Sequence, residues 1–266
     1  MRAHLVQLDI RWEDKKANYA RVHEMIAGAK PAKGDLVVLP EVFDTGFTID
    51  LLKSPDTDGA TLAFQKELAA KWSVTVHGCR TVKGSDAKGR NRSTITGPTG
   101  DTLAEYDKHH PFSLGPEGKR ESDCFTPGDK LALYDWRSGT QCIRVCPTIC
   151  YDLRFPELLR QGLAAGAEMY IVPANWPDTR VHHWRTLLTA RAIENQAFVL
   201  GVNRAGRDPA LKYPGATMAI GPMGEILAEA DEKEQVVSVE IDRHLVDSWR
   251  AKFPAWKEAP RMLELR

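Results

Sequence analysis

The chain has 266 residues, of which 42% are hydrophobic and 27% charged, a composition ordinary for a globular protein with a sizeable core. Its 36 basic residues balance 36 acidic ones, which argues against a nucleic-acid or membrane-surface role, since both need a positive field. No apolar run approaches the roughly 18 residues that suggest a membrane span. The five cysteines are unevenly spaced and do not indicate a disulfide framework, so we expect the reducing cytoplasm.

Strand-like and helix-like segments alternate along the first half of the chain. Alternating or short apolar runs predict strands, and apolar residues at helical spacing predict helices. The predicted strands are 3–10, 35–39, 74–80, 92–95 and 102–108, and the predicted helices are 14–29 and 61–72. Residues 111–129 are rich in Gly, Pro and charge without periodicity, which predicts a long ordered loop.

The second half continues the alternation with more hairpins. Strands are predicted at 131–136, 141–149, 168–173, 198–203, 216–220, 225–230 and 235–241, and helices at 155–165, 181–196 and 243–252. We find no linker, repeat or low-complexity segment, so we expect residues 1–266 to form one domain. Hairpins mixed with helices disfavour a purely parallel doubly wound sheet and favour a layered sandwich.

Three cysteines, Cys142, Cys146 and Cys150, invite a metal-site interpretation. Residues four apart on a strand lie about 13 Å apart, at roughly 3.3 Å per residue, which is too far for one zinc ion. We therefore predict no metal. Cys142 and Cys146, like Cys79 and Cys124, are expected to be buried small apolar side chains.

Cys150 differs because a predicted strand there turns sharply into a helix. Free helix N–H groups and the helix dipole are expected to favour its thiolate form, which is the nucleophile. The geometry parallels the nucleophile elbow of serine hydrolases. A structural cysteine at a strand end fits the same pattern equally well.

Two charged residues also follow predicted strands. Glu41 ends the run Leu-Pro-Glu, and Lys108 ends the run Tyr-Asp-Lys. Each charge alone is compatible with a solvated side chain at a strand end. The chain therefore offers a carboxylate, an ammonium and a thiol at three strand ends.

In this order, Glu41, Lys108 and Cys150 resemble the Glu-Lys-Cys triad of the nitrilase superfamily of carbon–nitrogen hydrolases. The flanks Leu-Pro-Glu, Tyr-Asp-Lys and Cys-Tyr-Asp-Leu-Arg-Phe-Pro-Glu match, as do Ala-Asn-Trp-Pro at 174–177 and Ala-Arg-Ala-Ile-Glu-Asn at 190–195. The resemblance extends over essentially the whole chain. It is greatest to the omega-amidase branch, which hydrolyses the terminal amide of small monoamides such as 2-oxoglutaramate and succinamate.

The resemblance implies roles for the three residues. Glu41 is expected to act as the general base, and Cys150 to form a thioester. Lys108 and the backbone N–H of Tyr151 are expected to stabilise the oxyanion, with no metal or organic cofactor. The implied fold is a four-layer α-β-β-α sandwich with two mixed sheets. The implied assembly is a homodimer or a dimer-based tetramer that associates through the helix after the cysteine and the helix containing 190–195.

Further site residues are predicted around this triad. A second glutamate follows the lysine in many family members, and Glu121 is preferred over Glu117 because a Pro-Gly turn follows it. Arg154 is a candidate for a substrate carboxylate, although it could instead tie down a loop or a dimer contact. Four residues are expected to line the pocket: Phe43, Tyr151, Asn175 and Trp176.

Histidines are not needed as the base. His110 is expected to fix the loop after Lys108, and His182 and His183 are interpreted as structural because adjacent helical residues point in different directions. Two alternatives to the omega-amidase function stay open: the same triad acting on an N-carbamoyl amine or a nitrile, and a non-catalytic small-molecule binder. A third alternative, a papain-like protease, is weaker. The last lacks its local signature around Cys150.

Overall fold

The computed structural model describes residues 1–115, 117–118 and 120–258. Two six-stranded sheets dominate it. The first sheet has the spatial order Gln235–Glu240 (β14), Arg2–Gln7 (β1), Leu36–Val38 (β2), Thr75–Lys83 (β3), Gly89–Thr96 (β4) and Thr102–Asp107 (β5). The second has the order Ile226–Glu229 (β13), Met218–Ile220 (β12), Phe198–Asn203 (β9), Met169–Ala174 (β8), Gln141–Pro147 (β7) and Tyr134–Ser138 (β6). A separate hairpin joins Ala205–Arg207 (β10) to Lys212–Pro214 (β11).

The helices connect and cover these sheets. They are Lys15–Ala29 (α1), Ala60–Trp72 (α2), Glu121–Cys124 (α3), Pro156–Ala164 (α4), Val181–Asn195 (α5) and His244–Lys252 (α6). Local chemistry sets their starts: the Asp14 carboxylate accepts a hydrogen bond from the Ala17 N–H at 3.0 Å, and Pro156 opens α4, where its missing N–H costs nothing. Short 3-10 turns span Cys150–Arg154, Asp178–Arg180 and Pro254–Lys257.

Both sheets are mixed. In the first, β1, β2 and β3 run parallel, and the remaining neighbours are antiparallel. In the second, β7, β8 and β9 run parallel. Short hairpins supply the antiparallel pairs β3–β4, β4–β5, β6–β7 and β12–β13. The parallel pairs require crossover connections, which here contain helices.

The period-two alternation of the strands produces a layered core. Along β1, Ala3 and Leu5 face the second sheet, while Val6 faces α1 and α2. In the second sheet, Tyr170 and Val172 face the opposite way, towards α4 and α5. Apolar side chains therefore fill three interfaces, and the predicted four-layer α-β-β-α sandwich is confirmed.

Most predicted elements are found within a few residues of their predicted bounds. The strand predicted at 141–149 ends at Pro147, and the loop predicted at 111–129 contains the single turn α3. The β10–β11 hairpin was not predicted. Within the described residues, no helix is both long and apolar enough to cross a membrane.

Candidate active site

The candidate site lies where strands of both sheets end. Lys108 directly follows β5, Asn175 directly follows β8, and Glu41 and Cys150 follow β2 and β7 by three residues each. β2 lies in the first sheet and β7 and β8 lie in the second, each in the parallel part of its sheet. The carboxyl ends of the two sheets meet here, because the Asn175 N–H donates to Glu41 Oε2 at 2.9 Å. Ligand sites in α/β sheets commonly occur there.

Lys108 connects two buried carboxylates. Its Nζ lies 2.7 Å from Glu41 Oε1 and 2.8 Å from Glu121 Oε2, and all three side chains are almost completely buried. An ammonium has three N–H donors, and two are used by these contacts. The described residues offer no hydrogen-bonding acceptor to the third donor, and Lys108 lines a pocket at this point. The third donor is therefore available to a molecule in that pocket.

Two asparagines complete the hydrogen bonding of Glu41. The Asn91 side-chain amide donates to Glu41 Oε1 at 2.8 Å and to Glu121 Oε1 at 2.9 Å. The backbone N–H of Asn175 donates to Glu41 Oε2 at 2.9 Å, and its side-chain amide donates to the same oxygen at 3.2 Å. These contacts fix the carboxylate in one orientation and keep it compatible with burial.

Burial and charge oppose each other in this cluster. Burial disfavours the charged form of Lys108, but the carboxylates of Glu121 and Glu41 outweigh it and hold the pKa of Lys108 well above its usual value. Burial also raises the pKa of Glu121, partly offset by Lys108 and the Asn91 hydrogen bond. The cluster is a permanently charged lysine held between two acids.

Cys150 opens the 3-10 turn after β7 with a backbone φ of +45°, in the left-handed region that L-residues rarely adopt. Its side chain lines the same pocket as Lys108 and Asn175. The strained backbone is consistent with the predicted sharp elbow.

The expected preference of Cys150 for the thiolate is wrong for the free site. Burial, and then the charge of Glu41, raise the pKa of the Cys150 thiol well above its usual value. The α-helix does not start at the elbow: a five-residue 3-10 turn intervenes, and α4 begins only at Pro156. Cys150 is therefore a protonated thiol that needs a base to become a nucleophile.

A hydrogen-bond network fixes the elbow to its neighbours. The buried Asp152 carboxylate accepts from the hydroxyl of Tyr106 at 2.7 Å, from the Ile149 N–H at 3.0 Å and from the backbone N–H of His110 at 2.9 Å. Arg191 on α5 donates twice to the Leu153 carbonyl, at 3.0 and 2.8 Å. The loop after Lys108 and the loop around Cys150 therefore hold each other in place, and the His110 side chain, 2.8 Å from Asp152, takes part as expected.

Three of the four predicted lining residues, together with the candidate Arg154, line the pocket with Cys150 and Lys108: Tyr151, Asn175 and Trp176. The prediction for Phe43 is wrong. Its ring is fully buried and packs near Tyr19 and Phe64 in the core between the first sheet and α1 and α2. Phe47 lines the pocket instead, with its ring centroid 5.3 Å from Lys108 Nζ.

Of the two loop glutamates, Glu121 is the one in the site, whereas Glu117 is exposed to solvent. The Phe112 N–H also donates to Glu121 Oε2 at 2.6 Å, and the one-turn helix α3 places this carboxylate under Lys108.

Two arginines line the pocket. The Arg154 guanidinium carbon lies 5.0 Å from the Trp176 ring centroid, and Arg154 Nη2 lies 3.1 Å from His183 Nδ1. His183, which was interpreted as structural, therefore contacts a residue that lines the pocket. Arg180 lies 5.6 Å from the Phe112 ring centroid. Neither forms an ion pair with any described carboxylate.

The other cysteines and histidines do not form a second site. Cys79 and Cys146 are buried as predicted, whereas Cys124 and Cys142 are only partly buried, and all five cysteines are free. Over residues 1–115, 117–118 and 120–258, no group of three or more His, Cys, Asp or Glu side chains could hold a metal ion.

Several site residues were missed by the sequence analysis: Asn91, Phe47, Phe112, Arg180, Leu211 and Tyr213. Leu211 and Tyr213 come with the unpredicted hairpin, whose only sequence signal is the Asp208-Pro209 turn. Arg180 follows the Ala-Asn-Trp-Pro motif by three residues and could have been considered as a second cation near it.

Comparison with known proteins agrees with this fold. The model of the carbon–nitrogen hydrolase family matches residues 2–251. The "Hydrolase in agr operon" of Staphylococcus aureus is 33% identical over 265 residues, covering 97% of each chain, and "Omega-amidase YafV" of Escherichia coli K12 is 33% identical over 257 residues, covering 96% of this chain and 95% of its own. The crystal structure of XC1258 from Xanthomonas campestris, described as a CN-hydrolase superfamily protein, superimposes with a TM-score of 0.87 at 34% identity, covering 97% of this chain and 96% of that one.

The four-layer fold, with a cysteine, a lysine and glutamates at one sheet edge, defines the class of carbon–nitrogen hydrolases. The chain belongs to this family, the nitrilase superfamily, as the resemblance implied.

Proposed function

We propose that this protein is an amidohydrolase of the omega-amidase type, which hydrolyses the terminal amide of a small carboxylate-bearing substrate through a thioester on Cys150. The observation that carries the proposal is the buried Glu41–Lys108–Glu121 cluster beside Cys150, in a pocket whose charged lining residues are all basic. In this reading Glu41, Lys108 and Cys150 are the catalytic residues, and Glu121 positions Lys108.

Acylation begins with the protonated thiol. Glu41 accepts the S–H proton while sulfur attacks the amide carbon, and the carbonyl π electrons move onto oxygen. The third N–H of Lys108 and the backbone N–H of Tyr151 stabilise this oxyanion. When the intermediate collapses, the C–N bond breaks, and Glu41 returns the proton to the departing ammonia.

Deacylation uses the same base. Glu41 takes a proton from a water molecule while the water oxygen attacks the thioester carbon. The C–S bond then breaks. The proton then returns to sulfur, so that the carboxylate and the thiol are regenerated. The raised pKa of Cys150 supports this cycle, because the sulfur regains its proton readily at neutral pH.

Two observations support a carboxylate-bearing amide as the substrate: the residues that line the pocket and the sequence identity to a relative. Aromatic residues form its walls, and Lys108, Arg154 and Arg180 are its charged groups. A negatively charged substrate is favoured there, whereas a protonated amine is disfavoured. The 33% identity to "Omega-amidase YafV" supports the same class of amide.

The proposal is tested by measuring ammonia release from succinamate and 2-oxoglutaramate. We expect wild-type turnover and its loss in Cys150→Ala, by at least about a hundredfold. Cys146→Ala is the matched control, since Cys146 is buried in β7 outside the pocket, and it should keep its activity. Turnover by Cys150→Ala at the wild-type rate would refute the proposal, and preference for an N-carbamoyl amine or a nitrile would reassign the substrate.

A further inference from the structure

Arg180 carries a charge that nothing described in the protein neutralises. No described carboxylate lies within 4.0 Å of its guanidinium, and its side chain makes no hydrogen bond to a described residue. Its neighbours on α5 differ: Arg185 pairs with Glu229 at 2.6 Å and Arg191 with Glu194 at 3.1 Å. A guanidinium at a pocket surface that no protein carboxylate pairs with keeps its donors free for an anionic ligand.

The backbone of Arg180 is nevertheless held firmly. Its N–H donates to the Pro177 carbonyl at 3.1 Å, and its carbonyl accepts from the indole N–H of Trp176 at 2.8 Å. The side chain extends over the Phe112 ring and lines the pocket with Cys150. The fifteen-residue helix α5 begins at the next residue, and its N-terminus adds positive potential.

Arg154, the residue predicted to bind a substrate carboxylate, already contacts other side chains of the protein. Its guanidinium lies over Trp176 and contacts His183, so part of its donor capacity is used by the protein itself. Arg180 keeps all its donors available for bidentate binding of a carboxylate.

We infer that Arg180 is the principal binding residue for the carboxylate of the substrate, opposite the amide that reacts at Cys150, and that Arg154 is secondary. The inference rests on the proposed function and assigns its substrate class: amides with a free carboxylate at the far end of a short chain. Arg180 thereby determines specificity and takes no part in bond breaking.

The test compares succinamate with butyramide, which replaces the carboxylate with a methyl group. In Arg180→Met, we expect kcat/KM for succinamate to fall on the order of ten- to a hundredfold, mainly through KM, because a charge-assisted bidentate contact is lost. Turnover of butyramide should change less than about twofold, which also shows that the variant is folded. Arg185→Met, five residues further along the chain on α5 and outside the pocket, should match wild type on both substrates.

A binding measurement supplies a readout independent of turnover. In the Cys150→Ala background, succinate should bind more weakly when Arg180→Met is added, and unchanged when Arg185→Met is added. Three outcomes overturn the inference: equal loss on both substrates, unchanged succinate binding, or loss of the succinamate preference in Arg154→Met with its retention in Arg180→Met. If the wild-type protein hydrolyses both amides equally well, it is an amidase but Arg180 does not select a carboxylate. If it hydrolyses neither amide, the proposed function itself is wrong.

Discussion

Asn91 donates both side-chain amide hydrogens to acids, one to Glu41 and one to Glu121. The two side chains also share Lys108, so one cation and one neutral amide hold two carboxyl groups in a buried site. A neutral donor of this kind stabilises ionised carboxylates without adding another charge. We assign Asn91 a positioning role.

Replacing Asn91 should therefore shift a pH profile. The Asn91 hydrogen bond lowers the pKa of Glu121, so Asn91→Ala should raise it further. Activity should fall when Glu121 becomes protonated as the pH decreases, so the acid limb of kcat/KM should move to higher pH. We expect about a tenfold loss near neutral pH that recovers as the pH rises.

The control for this prediction is Asn195→Ala. Asn195 is a buried asparagine on α5 whose amide bonds to the Arg191 carbonyl and to no carboxylate. It should lose stability but keep the wild-type pH profile. If Asn91→Ala lowers kcat/KM by the same factor at every pH and leaves the acid limb in place, the role of Asn91 is merely structural.

The residues that sequence reasoning placed correctly share one property. Glu41 follows the apolar run at 35–39 and Lys108 ends the predicted strand at 102–108, so each lies where a strand leaves the sheet. Phe43 and Phe47 lie instead in an irregular segment, where Val42 has a φ of +39° and Gly46 donates back to the Val42 carbonyl at 2.8 Å. No periodicity governs such a turn, so which phenylalanine enters the core could not be predicted.

Among the elements, the turn from β7 to α4 stores backbone strain at Cys150. Cys150 has a left-handed backbone, and a residue with a Cβ pays roughly 1–2 kcal/mol to adopt it. Hydrogen bonds from Ile149 and His110 to Asp152 hold the turn in that conformation. The strain places the thiol at the pocket instead of along the strand.

This strain predicts an unusual order of stabilities. Cys150→Gly should be more stable than Cys150→Ala, by about 1 kcal/mol in denaturant unfolding, because glycine adopts positive φ without a steric penalty. At Cys146, within β7, the order should reverse, with glycine less stable than alanine by roughly 0.5–1 kcal/mol. If alanine is the more stable substitution at both positions, the elbow is not strained.

The same turn explains why the ionisation state of Cys150 was predicted wrongly. The sequence indicates a strand followed by a helix, and a helix N-terminus favours an anion. It does not indicate that five residues of 3-10 turn intervene, or that Glu41 from the other sheet raises the pKa of the thiol. The latter depends on contacts between segments about a hundred residues apart.

At the scale of the whole molecule, periodicity predicts layers but not strand order. The β1 strand pairs with β14, with Arg2 opposite Glu240, and no local pattern specifies that pairing. The family resemblance supplied the four-layer arrangement with two mixed sheets, and the two sheets and flanking helices confirm it. The single domain over 1–266, the homodimer or dimer-based tetramer and the cytoplasmic location stay predictions.

The proposed thioester on Cys150 can be trapped with hydroxylamine, which attacks a thioester to give a hydroxamate. With succinamate and rising hydroxylamine, the wild-type protein should form the succinyl hydroxamate at the expense of succinate, while ammonia release continues. Cys150→Ala should form none, and Cys146→Ala should match wild type. Ammonia release by the wild-type protein without hydroxamate at any hydroxylamine concentration, or hydroxamate formation by Cys150→Ala, would contradict the account.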